Sequence, residues 1–171
     1  MRKLVAFLAL SVMTIWLAAC STPHLPTINF NTALSQGAGD AQLVQTALNA
    51  NLPRIATIPG ISPGTVAQVG GIVSDLRAVP PLISRAQNIS GAQTAVAELA
   101  KGLDGLFGTS GALAGVTLPA IVNNVKGASY VLLGSIQANV GSAVSAVPPP
   151  VPAGVSQLSP DDARALLKNG G

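Results

Sequence analysis

Few residues in this chain of 171 could do chemistry, and they lie far apart. Cys20 is its only cysteine and follows Leu17-Ala18-Ala19; its thiol is a strong nucleophile once ionised, and it has no internal partner for a disulfide. His24, the only histidine, stands beside Pro23 and Pro26 with no second ligand near it, so it reads as an exposed residue rather than a metal ligand or general base. Asp161 and Asp162 are adjacent, but they follow Ser159-Pro160 and fit the first turn of a helix better than a catalytic pair. Ser110 to Thr117 supplies hydroxyls without a neighbouring base. Gly102, Gly105, Gly108 and Gly111 recur every third residue, yet the segment lacks the Lys of a phosphate-binding loop and the strand that would precede a dinucleotide site. No catalytic residue, no metal and no cofactor is expected from these positions.

The remaining candidate is Cys20, because of what precedes it. Met1-Arg2-Lys3 is a positive start, Leu4 to Trp16 is a nearly uninterrupted apolar run, and small residues close it, which are the three parts of a secretory signal. The run falls short of the roughly 20 apolar residues that span a bilayer. Leu17-Ala18-Ala19-Cys20 resembles the lipobox of bacterial lipoproteins, whose pattern is Leu, a small or branched residue, Gly/Ala/Ser, then Cys. The resemblance implies that the Cys20 thiol receives a diacylglyceryl group, that the signal is cut before Cys20, and that the new amine is acylated, with palmitate as the expected label. Each buried methylene contributes about 0.8 kcal/mol, so two or more chains make a stable anchor. Ser21 stands where the inner-membrane retention signal of such lipoproteins is typically Asp, which implies the outer membrane, facing the periplasm. In such a protein Asn88-Ile89-Ser90 matches a glycosylation sequon by chance.

Composition agrees with a folded, weakly charged domain. Charged residues make up 9% of the chain and hydrophobic residues 49%, the reverse of a disordered composition. Of nine Lys and Arg, Arg2 and Lys3 leave with the signal, and the remaining seven face six acidic residues. A basic field for nucleic acid is therefore absent.

The elements that would carry these residues are helical. Residues 20–39 contain two prolines and several Asn and Thr, and read as an extended tether, with Ile28, Phe30 and Leu34 able to dock on the domain. Asp40 is placed as the cap of a first helix carrying Leu43, Val44, Ala47, Leu48 and Leu52, disturbed near Pro53. Ser62-Pro63 starts a second, with Val66, Val69, Val73 and Leu76 on one face and Pro80-Pro81 as its end. After a short segment, Ser90 caps a third with Val96, Leu99, Leu103 and Leu106, ending in a turn at Gly108-Thr109-Ser110-Gly111. Asp75, Arg77, Glu98, Lys101 and Asp104 read as solvated charges.

From Leu118-Pro119 to Val147 one face collects Leu118, Val122, Val125, Leu132, Ile136, Val140 and Val147. Gly127, Gly134 and Gly141 recur every seven residues on the opposite face with Ala120, Ala138 and Ser145. Two such stripes predict a central helix packed on both sides, with Gly127, Gly134 and Gly141 as its packing face. Small residues at this spacing also suit self-association or helix contact in lipid, but Asn123, Asn124, Gln137 and Asn139 are expensive in hydrocarbon. Pro148-Pro149-Pro150-Val151-Pro152 forms a stiff linker, and Ser159-Pro160-Asp161-Asp162 starts a short helix that docks through Leu166 and Leu167.

The sequence thus predicts an all-α protein: signal peptide at 1–19, lipidated tether at 20–39, helical bundle at 40–147, Pro-rich linker at 148–158 and a short C-terminal helix at 159–171. The expected function is that of a non-enzymatic, lipid-anchored envelope protein that binds or scaffolds. The alternative is a membrane-inserting or pore-forming Gly/Ala-rich helical protein. Expected partners are the membrane, through the acyl chains on Cys20, and a protein partner or a second copy. An apolar ligand can also sit in a groove of the bundle, and nucleic acid is excluded.

Overall fold

The computed structural model describes residues 29–141 and 158–170. Their regular structure is all helical: α1 (Phe30–Ala56), α2 (Pro63–Asp75), a 3-10 turn (Leu76–Ala78), α3 (Val79–Ser84), α4 (Ile89–Phe107), α5 (Ala120–Val140) and α6 (Pro160–Lys168). The expected all-α bundle is what the chain forms. Its centre is the pair α1 and α5; α2 and α3 pack on α1, α4 packs on α5, and α6 lies across both central helices. Val44 and Leu48 of α1, Ile83 of α3, Leu99 and Leu103 of α4, and Leu132 and Ile136 of α5 meet in one core from which water is excluded.

The first helix begins eleven residues earlier than the sequence suggests. Asn29, not Asp40, is its cap, and the Asn29 Oδ1 accepts from the Asn31 amide at 3.0 Å. Ala33 and Leu34 are buried, so residues 30–39 belong to the bundle and not to an extended tether. Gly37 explains why this turn packs well. A Cβ there would lie 3.2 Å from the Ile136 Cγ2, so the missing side chain lets α1 approach α5. Pro53 is accommodated inside the final turn, and α1 runs on to Ala56.

Two other boundaries differ for reasons of helix-end chemistry. Pro80 and Pro81 do not end a helix but begin one: after the 3-10 turn they occupy the first turn of α3, where amides have no intrahelical partner to lose. Asn88, not Ser90, caps α4, its Oδ1 accepting from the Gly91 amide at 2.8 Å while its own backbone stays extended. Two predicted caps are as expected. The Ser62 Oγ accepts from the Thr65 amide at 3.1 Å, and the Ser159 Oγ accepts from the Asp162 amide at 3.2 Å.

The glycines of α4 and the turn after it are sites of close approach. A Cβ on Gly102 would lie 2.5 Å from a Leu76 methyl, which lets the 3-10 turn sit against α4. Beyond Phe107 the chain folds back on its own helix, with Ala112 N donating to Gly105 O at 2.8 Å and Leu113 N to Leu106 O at 2.9 Å. A Cβ on Gly111 would lie 2.7 Å from the Asp104 carbonyl oxygen, so that reversal has no room for a side chain.

Candidate functional site

Leu17, Ala18, Ala19, Cys20, Ser21 and His24 lie outside the described residues. So do Ala143, Ser145, Val147 and the proline run at 148–152. Three features of the described residues bear on function: the face of α5, the seat of α6, and a cleft beside the Gly108–Pro119 loop.

The apolar stripe of α5 is buried as expected, with Val122, Val125, Leu132, Ile136 and Val140 all in the core. Ser129 is buried among them and its Oγ donates to the Val125 carbonyl at 2.7 Å. The glycine face requires correction. Gly127 is buried, but Gly134 is exposed and a Cβ built on it meets nothing within 4 Å. Gly141 has left the helix: it is the C-cap, in the left-handed region at φ 68°, and α5 stops at Val140. Ala120 and Ala138 are exposed as well. The seven-residue repeat therefore combines one packing glycine, one open surface position and one helix terminator. Within the described bundle it is not a second packing face.

α6 docks through Ala163 and Leu167, which are buried, with Leu166 half-buried beside them. It is also held by a charge pair. The Arg164 Nε and Nη2 donate to Asp40 Oδ1 and Oδ2 at 2.7 and 2.8 Å, a bidentate contact made where Asp40 is 3% exposed. The Arg164 Nη1 reaches exposed Asp161 at 2.6 Å. Hydrogen bonding to Asp40 raises the affinity of Arg164 for its proton, against the opposing effect of burial. Asp40 thus serves as an internal anchor for α6, not as a helix cap. The signal in the sequence was its spacing: Asp40 falls on the α1 face that carries Gly37, Val44 and Leu48. A charge there needs a partner, and Arg164 lies 124 residues away.

Other polar groups are structural. Tyr130 is buried and its hydroxyl donates to Asp104 Oδ1 at 3.2 Å. Burial, then the charge of Asp104 and the hydrogen bond to it, hold the phenol well above its usual range. Asp104 is exposed, as are Glu98 and Lys101, which pair loosely at 3.8 Å, and it differs from them in also accepting the hydrogen bond of a buried phenol. Asn51, 1% exposed, donates to the Ala47 carbonyl at 2.9 Å and accepts from Arg54. Among the described residues no group of three or more His, Cys, Asp or Glu could hold a metal ion.

The cleft lies between the Gly108–Pro119 loop and the first half of α5, with a volume of about 500 Å³. Phe107, Leu113 and Val116 form apolar walls, and Thr117, Asn123 and Lys126 supply polar atoms. The Asn123 Nδ2 donates to the Leu118 carbonyl at 3.0 Å, fixing the loop to the helix. The Lys126 Nζ lies 5.8 Å from the centroid of the Phe107 ring. Lys126 is the one charged residue of α5, and the fold-back of the loop, invisible to helical periodicity, gives it a wall to sit against.

Comparison with family models, curated proteins and solved structures finds no match for this chain. No helix among the described residues is long and apolar enough to cross a membrane.

Proposed function

We propose that the protein is a lipid-anchored component of the bacterial cell envelope, held at the periplasmic face of the outer membrane, and that it acts by binding or scaffolding rather than by catalysis. The observation that carries this reading is Leu17-Ala18-Ala19-Cys20 at the end of a basic and then apolar N-terminal segment. Ser21 in the sorting position favours the outer membrane. In support, Asn29, Ser62, Asn88 and Ser159 are engaged in capping, Asp40 and Arg164 in an ion pair, and Tyr130 and Asp104 in a hydrogen bond, which are roles in holding a scaffold together.

The anchor and the bundle divide the work. Acyl chains on Cys20 supply membrane affinity, so the helices need no second attachment. Globomycin treatment of cells making the protein should leave a larger species that retains its signal, and fractionation should place the untreated form in the outer membrane. A size unchanged by globomycin would remove the anchor from this reading. Recovery in the inner membrane would remove the role assigned to Ser21. Crosslinking the lipidated protein in its native envelope then tests scaffolding, which requires a specific crosslinked species.

A further inference from the structure

We propose that the corner where α3 turns into α4, marked by Leu82, Arg85 and Ile89, lies against the phospholipid surface in which Cys20 is anchored. The proposal rests on that lipid anchor and adds an orientation to it. The corner lies at the end of the bundle where α1 begins. α3 runs antiparallel to α1, since Arg77 just before it bonds to Asn49 while Ile83 faces Gly37. α4 then turns back, and its first turns meet the end of α5, where the Gln93 Nε2 donates to the Gly141 carbonyl at 3.2 Å. Asn29, the α3–α4 connection and the C-terminus of α5 therefore share one end.

Among the described residues, Leu82 and Ile89 are the two large apolar side chains left exposed, at 53% and 54%. Single exposed apolar residues are ordinary on a protein surface. These two instead flank Arg85, which is exposed and joins none of the ion pairs of the described residues. Arg85 is also the only charged side chain in residues 29–39, 79–97 and 127–141, which build this half of the bundle. Arg54, Asp75, Arg77, Lys101, Asp104 and Lys126 lie toward the other end, and the charges of α6 are held at Asp40, about 16 Å along α1 from Asn29. Apolar side chains that enter the acyl boundary beside a guanidinium that meets phosphate are the chemistry of a membrane interface.

Covalent length decides which end can make the contact. From Cys20 to Asn29 the chain reaches at most about 32 Å, whereas α1, at 27 residues, is about 40 Å long. The start of α1 thus stays within reach of the bilayer, and its far end cannot be set there in its place. The acyl chains hold the protein, and the corner contact turns the charged end toward the periplasm.

Removing the signal removes Trp16, the only tryptophan, so single fluorescent probes can be placed in the mature chain. Ser90→Trp sits beside Ile89 and Ala56→Trp at the far end of α1, both at exposed positions. The lipidated protein, its modification at Cys20 verified by intact mass, is placed in phospholipid nanodiscs with and without brominated acyl chains. Emission from Ser90→Trp should shift to the blue and be mostly quenched by the brominated lipid, while emission from Ala56→Trp keeps its position and intensity. Adding Leu82→Ser, Arg85→Glu and Ile89→Ser to the Ser90→Trp chain should abolish the quenching with helicity unchanged. Equal quenching of both probes, no quenching of either, or quenching that survives the three added substitutions overturns the proposal. A blue shift without quenching, as when a second copy covers the corner, also overturns it. A protein with no lipid on Cys20 is recognised at the mass measurement and removes the anchor together with this contact, whereas a lipidated protein without quenching removes the contact alone.

Discussion

Removing Arg164 should cost more than its own contacts are worth, because it strands Asp40. The carboxylate of Asp40 is buried, and both of its oxygens are taken up by Arg164, at 2.7 and 2.8 Å. Breaking a buried pair from one side typically costs about 3–5 kcal/mol, whereas the contact of Arg164 with exposed Asp161 is worth under about 1 kcal/mol. The bundle has one escape: α6 can lift away and let water reach Asp40. That release forfeits the burial of Leu167, about 1.5–3 kcal/mol, and a smaller amount at Ala163, so the loss is capped near the lower end of the range. Arg164→Met should therefore lower unfolding stability by about 3 kcal/mol and strip hydrogen-exchange protection from α6 while the centres of α1 and α5 stay protected. Replacing both partners, as Asp40→Leu with Arg164→Met, should recover most of that stability, because no charge is then left buried. Chemical denaturation with amide exchange measures both. A loss under about 1 kcal/mol with α6 still protected, or a double variant no better than the sum of the singles, would refute the claim that this pair fastens α6.

Tyr130 makes a pH prediction with a definite sign. Its folded-state pKa is raised above the unfolded value of 10.0, so its contribution is complete below pH 10 and lost as pH climbs toward the folded value, at about 1.4 kcal/mol per unit. It is the chain's only tyrosine, so tyrosinate absorbance should rise together with loss of helix at alkaline pH, and in Tyr130→Phe the alkaline unfolding midpoint should move up. Ionisation near pH 10 in the still-folded protein would contradict the burial of this phenol. Two glycine substitutions should have opposite signs in denaturant titrations. Gly111→Ala, which sets a methyl against the backbone of Asp104 and Leu106, should cost about 1–3 kcal/mol, whereas Gly134→Ala, on an open helix surface, should gain up to about 1 kcal/mol.

Helical periodicity and cap chemistry made much of the bundle legible. Val69 and Val73 of α2, Leu76 just beyond it, Val96, Leu99, Leu103 and Leu106 of α4, and Val122, Val125, Leu132, Ile136 and Val140 of α5 are buried where the spacing put them, Val66 and Leu118 are half-buried, and Ser62 and Ser159 cap as their residue types predict. What escaped was set by distant parts of the chain. Asp40 looks like a helix start because a charge inside an apolar stripe has no local justification, and its justification is Arg164, brought in by α6. Pro80-Pro81 looks like a stop because proline is excluded from helix interiors, but the same residue is welcome in a first turn. Equal spacing of Gly127, Gly134 and Gly141 suggested equal roles, although spacing cannot tell a packing glycine from a left-handed cap. Of the candidate site, the lipobox is read from side-chain identity alone, while the cleft at Lys126 depends on a loop reversal that no periodic pattern encodes.

The central claim is that Cys20 carries the membrane anchor, and the intact mass of the N-terminal peptide of the protein purified from its envelope tests it most directly. Lipid anchoring requires a chain that starts at Cys20 with a diacylglyceryl group on sulfur, to which acylation of the new amine adds a third chain, and no such species from Cys20→Ala. A mature chain that begins elsewhere, or that begins at Cys20 with a free thiol, would contradict it.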